Sequence, residues 1–244
     1  RALGKINGTA GPHPHAVAAQ VNKTMYKVLL VLASAAALKG PQRALAVRGG
    51  ELGLNAETAI NVGTGLMGVA GAYTVIDPAG NIEKYGVSKP DASAVNMMAW
   101  AGGWQVALAA IYAADAEKAV GISGYIAAWT LLAQSRVSDV MGGPKASTYI
   151  WTAICAALGY KTLRDDLSPW PLIAVWTLNG VQQHFMRDQC LEMYGCNKQS
   201  ALGKAMMGVS GQSMLMGAAY LIALTKGKSQ AEAFVISWAV GGAL

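Results

Sequence analysis

Few residues in this 244-residue chain have types and spacings that suggest chemistry, and most of them stand in two look-alike loops. Glu83, Tyr85, Gly86 and Lys89 return as Glu192, Tyr194, Gly195 and Lys198, in the pattern Glu-x-Tyr-Gly-x-x-Lys. Two carboxylates in matching loops form a paired site if the loops meet. The structural alternative is a helix-entry turn with Gly at the bend, Tyr at a membrane interface and a local Glu–Lys ion pair. We prefer this alternative. The other candidate is His184, beside Gln182 and Gln183 near the end of an apolar segment. An imidazole there suits a metal, haem iron or chlorophyll magnesium, or simply a hydrogen bond to a neighbour. Asn96, Gln105 and Gln212 complete the set of candidate pigment ligands, and chlorophyll or a carotenoid is the cofactor such a set would serve. No Gly-x-Ser-x-Gly, dinucleotide or P-loop motif is present, and no spacing suits a metal site, so the sequence reads as non-enzymatic.

The loop pattern is part of a longer recurrence. A constant shift of 109 positions carries residues 82–89 onto 191–198, Met97–Met98 onto Met206–Met207 and Trp129 onto Trp238. It also carries Gly71 onto Gly180 and Gly102 onto Gly211 without a gap. One register held over so many positions reads as a tandem duplication.

What surrounds the loops is apolar. Residues 58–76, 92–114, 119–135 and 146–160 form four segments, followed by 170–186, 205–225 and 233–244. Most have the length of helices that cross a ~30 Å hydrocarbon core. In lipid the backbone must satisfy its own hydrogen bonds, and no period-2 alternation suggests a barrel, so helices are expected. The expected fold is an all-α polytopic membrane bundle. It is built from a parallel tandem repeat of a four-helix unit, with the first unit at 51–161 and the second, truncated, at 162–244. Small residues at four-residue spacing (Thr64, Gly68, Ala72; Ala99, Gly103, Ala107; Ser210, Met214, Ala218) read as packing faces. Ser168-Pro169-Trp170-Pro171 reads as a cap opening the fifth segment, with Trp170 as an interface anchor.

Composition fixes the setting. Hydrophobic residues make up 53% and charged ones 13%, about half the charged share of ordinary soluble domains (~25%). The formal charge of +6 comes from the first 50 residues, which hold seven Lys or Arg and no acid. The rest holds twelve basic and thirteen acidic side chains, so no nucleic-acid partner is expected. The expected partners are the bilayer and other membrane subunits. Cys155 reads as a small buried hydrophobe, and Cys190 and Cys196 as two thiols or a loop disulfide.

Residues 1–50 read as a targeting leader. Residues 25–38 have the basic start, short apolar run and small-residue exit of a signal peptide, and 39–50 carry Arg43 and Arg48 without an acid. The alternative is that 28–38 is one more helix of the mature protein. The leader resembles the bipartite plastid leaders of algae with complex plastids, which implies a plastid membrane protein, thylakoid before envelope. The body is similar to DoxX-like four-helix membrane families in helix count and in the Tyr-Gly entry to the second segment. It lacks the buried Glu–Arg pair of the light-harvesting family. Together these point to a non-catalytic accessory subunit of a pigment–protein or electron-transfer complex such as a photosystem. The alternative is a carrier for a small neutral or lipophilic solute, with its site between the repeats.

The loops give the first test. A positive-φ turn costs a residue with a side chain ~1–2 kcal/mol. Gly86→Val and Gly195→Val should therefore lower the yield of folded protein in membranes, while Glu83→Gln and Glu192→Gln should leave it nearly unchanged. Loss of activity or partner binding by the Glu variants at normal yield would make the loop a functional site instead.

Overall fold

The computed structural model describes residues 56–135, 145–193 and 199–244. The leader, Tyr194, Gly195, Cys196 and Lys198 lie outside the described residues. The regular elements among those described are nine α-helices. They are α1 (Ala56–Ile76), α2 (Pro78–Lys84), α3 (Ala92–Tyr112), α4 (Ala119–Ala133), α5 (Lys145–Leu163), α6 (Trp170–Phe185), α7 (Arg187–Met193), α8 (Ala201–Thr225) and α9 (Gln230–Ala243). Seven coincide in place with the apolar segments. The short helices α2 and α7 were not expected.

Among the described residues, three helices are long and apolar enough to cross a membrane: Glu57–Ile76, Ala92–Tyr112 and Ala201–Thr225. Helix α4 is apolar but has only 15 residues, and α6 has 16. Helix α5 is long enough, but its apolar run is broken by Ser147, Thr148 and Thr152 and ends at Lys161. Among the described residues the protein is therefore all-helical, with three helices suited to the bilayer.

Helices α3 and α8 form the central pair. Their N-terminal ends meet where Ser93 Oγ donates to Gln199 Oε1 and the Ser200 N–H donates to Ser93 Oγ. Near their C-terminal ends the rings of Tyr112 and Tyr220 stack edge to face at 5.0 Å, so the two helices run parallel. Helix α1 lies antiparallel on α3, and α6 antiparallel on α8. The α4–α5 hairpin covers α3 and α6, and α9 folds back on α8. Ser237 of α9 donates to Met216 O, so its oxygen is left to accept from the Tyr112 hydroxyl.

Glycines set how closely these helices approach. A Cβ on Gly71 would lie 2.9 Å from Gly102 O, and one on Gly102 would lie 2.8 Å from Gly71 O. A Cβ on Gly211 would lie 2.5 Å from His184 N and 2.8 Å from Gly180 O. Backbone-to-backbone contact of this kind is how helices pack where lipid supplies no hydrophobic drive between them. Of the small-residue positions read from the sequence, Thr64, Ala72, Gly103, Ala107, Ser210, Met214 and Ala218 are buried.

Polar caps define the helix starts. The Asp91 carboxylate accepts from Ala94 N and Ser200 Oγ from Gly203 N, each at 3.0 Å. The Ala94 bond, against some desolvation, holds the Asp91 pKa below the ordinary carboxylate value. Its contribution to stability is thus present above the unfolded pKa and lost as pH falls through the lower folded one. Asp77 caps α2 with Pro78 in the first turn, and Ser229 with Glu232 forms a capping box on α9. The expected Ser168 cap is corrected: Pro169 occupies the cap position of α6 and no side chain bonds there. Proline's fixed φ sets that entry without one.

The first loop turns at Gly86, with φ +85, closed by a bond from its N–H to Glu83 O. Nothing lies within 4 Å of where its Cβ would stand, so backbone conformation alone demands glycine there. Tyr85 is 79% exposed. The expected Glu83–Lys89 ion pair is absent among the described residues. Both side chains are exposed, and a surface pair gains too little (~0–1 kcal/mol) to hold them together. Lys84 instead sits 4.1 Å over the Tyr73 ring.

The glycine contacts give a paired test. Gly211→Ile should lower the melting temperature in detergent sharply, since overpacking costs about 1–3 kcal/mol and the obstacle is backbone. Gly65, which has open space where its Cβ would stand, should accept Ala with no loss. Equal melting temperatures for both variants would mean the helix crossing is looser than described.

Candidate functional site: a tryptophan-lined cavity

A cavity opens between α3, α4, α5 and α6, with α7 and α8 closing its floor. It reaches from about the middle of α3, at Trp104, to its N-terminal third, at Met97. Its walls carry Trp100, Trp104, Trp151 and Trp176, with Met97, Met207, Met214 and Leu191 between them. Ala127, Leu131 and Val175 complete the apolar lining, and Ser147, Thr148, Cys155, Asn179, Gln183 and Cys190 supply the polar or polarisable atoms. No charged side chain among the described residues lines it. Its volume is about 100 Å³. One water needs only ~10–15 Å³, so the space exceeds a single solvent site.

Helical spacing delivers these walls. Trp100 and Trp104 are one turn apart on α3, as are Trp151 and Cys155 on α5; Trp176, Asn179 and Gln183 follow one face of α6. The indoles brace one another edge to face, Trp100 on Trp104 at 6.0 Å and Trp104 on Trp176 at 5.4 Å. That is the arrangement the aromatic quadrupole favours. Bulky rings meeting by their edges leave space that aliphatic side chains would fill.

One polar group anchors this aromatic wall. Gln183 is only 6% exposed. Its Oε1 accepts from Trp100 Nε1 at 3.2 Å and lies within hydrogen-bond distance of Ser210 Oγ. The indole N–H can only donate, which fixes which end of the carboxamide faces Trp100 and leaves the NH2 end on the other side. The Ser210 hydroxyl is also 2.7 Å from Met207 O, so its single proton is shared between two acceptors. Asn179 Nδ2 donates back to Val175 O in its own helix. The indole N–H groups of Trp104 and Trp176 are buried with no hydrogen-bond partner among the described residues.

None of the four candidate ligands read from the sequence lines this cavity, and the structure does not bring them together. Half-buried His184 places Nδ1 2.9 Å from Gly208 O of α8, with its ring against Phe185. Asn96 Nδ2 donates to Ala92 O in the first turn of α3. Gln105 lies on the α1 side of α3, near Gly71, with Oε1 unpartnered among the described residues. Gln212 Nε2 donates to Gly241 O of α9. Glu83 and Glu192 are both exposed, outside the cavity. No group of three His, Cys, Asp or Glu side chains among the described residues converges as a metal site would require. Gln183 passed in the sequence as a neighbour of His184; its seven-residue spacing from Trp176 was the signal that set it on the tryptophan face.

No protein-family model matches the chain, and no curated protein or solved structure shows significant similarity to it. The site must be interpreted from its own geometry.

The anchor predicts coupling. Gln183→Leu should lower stability by about 1–3 kcal/mol, the cost of leaving the Trp100 N–H buried without an acceptor. Ser210→Ala should cost less alone and add almost nothing in the Gln183→Leu background. A double-mutant cycle by thermal unfolding in detergent measures this; strict additivity would show that the shared oxygen does not couple the two residues.

Proposed function

We propose that this chain is a non-catalytic accessory subunit of a plastid membrane, thylakoid before envelope, packed against a larger pigment–protein or electron-transfer complex such as a photosystem. The observation that carries the reading is the apolar exterior. On α1, Val62, Leu66, Val69 and Ile76 are exposed, and Tyr149, Ile150 and Ile154 on α5 and Val235, Ile236 and Trp238 on α9 are exposed with them. Exposed apolar faces of this extent mark contact with lipid or with other membrane helices. On this reading the remaining helices, α4 to α6 and α9, also cross or enter the bilayer, and Tyr85 and Trp170 sit at headgroup depth. The compartment comes from the resemblance of residues 25–50 to bipartite plastid leaders. His184, half-buried with only Nδ1 engaged, and the three carboxamides remain the candidate pigment ligands, for chlorophyll or a carotenoid.

The tandem repeat belongs to this proposal. Equivalent positions do equivalent work: Gly71–Gly102 and Gly180–Gly211 are close contacts of neighbouring helices, and the N-caps Asp91 and Ser200 differ by the same 109 positions. Ile82 of α2 and Leu191 of α7 are both buried, again 109 apart. A second reading, a carrier for a small neutral or lipophilic solute, is favoured by one observation. The cavity draws walls from both units: α3, α4 and α5 from the first, α6, α7 and α8 from the second.

Native-gel fractionation of gently solubilised plastid membranes separates these readings. An accessory subunit should co-migrate with a pigmented or redox-active complex. Migration alone, with saturable uptake of a neutral solute by liposomes holding the pure chain, would overturn the accessory reading in favour of the carrier.

A further inference from the structure

The tryptophan-lined cavity has a chemistry specific enough to choose its occupant. Charged molecules are disfavoured because no charged side chain among the described residues faces the space to compensate for desolvation. Flat rings are favoured, because edge-to-face indoles offer both ring faces and ring edges to a planar guest. The hydrogen-bonding groups narrow the class further. Gln183 spends its oxygen on Trp100 and Ser210, which leaves its NH2 as a donor end without a partner among the described residues. The N–H groups of Trp104 and Trp176 are buried out of a guest's reach, which leaves the Gln183 NH2 as the donor the space presents. The carbonyl of Asn179 is the one side-chain amide oxygen left to accept, since its own NH2 is bonded to Val175 O. The Ser147 and Thr148 hydroxyls can play either part and so do not discriminate. The Gln183 NH2, held in place by the bonds its oxygen makes, is the fixed donor, and it suits a guest that accepts.

We propose that this cavity binds one neutral, ring-bearing lipophilic molecule that presents a carbonyl oxygen to the Gln183 carboxamide NH2. The binding is non-covalent and requires no reaction. A simple hydrocarbon would fill the space but leave the Gln183 NH2 unmet. An alcohol or primary amide would bring donors for which the lining has few acceptors. The assignment holds whether the chain serves as an accessory subunit or as a carrier, because it concerns only what the walls recognise.

The full chain in lipid nanodiscs is titrated with 2,3-dimethyl-1,4-naphthoquinone, whose ring carbons are blocked against thiol addition, and with 2,3-dimethylnaphthalene, and partition into empty nanodiscs is subtracted. The expected result is saturable binding of one quinone per chain, with the hydrocarbon about tenfold weaker, the worth of roughly one hydrogen bond. Gln183→Leu should erase that tenfold preference, and Ala127→Phe, which fills the cavity from α4, should abolish saturable binding of both. Equal affinity for quinone and hydrocarbon on the unaltered chain would overturn the proposal, and that comparison stands even if Gln183→Leu fails to fold. Absence of saturable binding, or a quinone preference that survives Gln183→Leu or Ala127→Phe, would overturn it as well.

Discussion

Backbone contact at glycine is the constraint from which the rest of this architecture follows. Helices that share an apolar solvent with their surroundings gain nothing from hydrophobic exclusion when they meet, so they associate by close packing. Gly71 against Gly102 and Gly180 against Gly211 bring α1 onto α3 and α6 onto α8 with backbone atoms nearly touching. The two resulting pairs are joined by α3 and α8, which run parallel from the Ser93–Gln199 contact to the Tyr112–Tyr220 ring contact. Gly124 and Gly159 repeat the device in the α4–α5 hairpin, where an added Cβ on Gly124 would meet Gly159 Cα at 2.6 Å. Polar side chains then secure the pairs, as Tyr112 does through Ser237 to Met216 O.

The cavity is the complement of that close packing. Where α1 meets α3 the interface is small residues and leaves little room. On the opposite side of α3 stand Trp100 and Trp104, whose rings hold α4, α5 and α6 away from the central helix. Aromatic edges cannot interdigitate as aliphatic chains do, and the space persists because Gln183 and Ser210 hold the wall in position. Close backbone contact on one face and bulky rings on the other give α3 two different jobs. Its own sequence shows both, with Gly102 and Gly103 set between Trp100 and Trp104.

The exterior and interior also divide the chemistry. Charged groups gather at helix ends, in the Lys204–Asp188 and Lys228–Glu232 pairs and the Asp77, Asp91 and Ser229–Glu232 caps. The helix interiors keep hydroxyls and carboxamides, many bonded back to the carbonyl one turn earlier, as Thr74, Thr130 and Thr177 are. Such groups satisfy themselves within their own helix wherever the helix lies. Gln183, Gln134 and Gln212 do the reverse and tie one helix to another, so the polar bonds that shape this bundle come chiefly from carboxamides.

The sequence by itself determined helical structure, the positions of its long segments and the turn at Gly86. Each of these is local: a run without charge, a cap residue, a glycine where φ must be positive. It passed over α2 and α7, because a seven-residue helix has too few turns to show a period; only Ile82, Cys190 and Leu191 face the core from them. Tertiary structure alone decided the site. Trp104, Trp151, Trp176 and Gln183 are scattered over some eighty positions, and nothing local says that α4 and α5 will fold across to enclose them with α6. The same spacing that put Gln183 beside His184 in the chain turned the two side chains apart, one to the tryptophan wall and one to Gly208 O. Adjacent residues on a helix point about 100° apart, so neighbours in sequence serve different faces, and which face holds a site depends on the helices that come to rest against it.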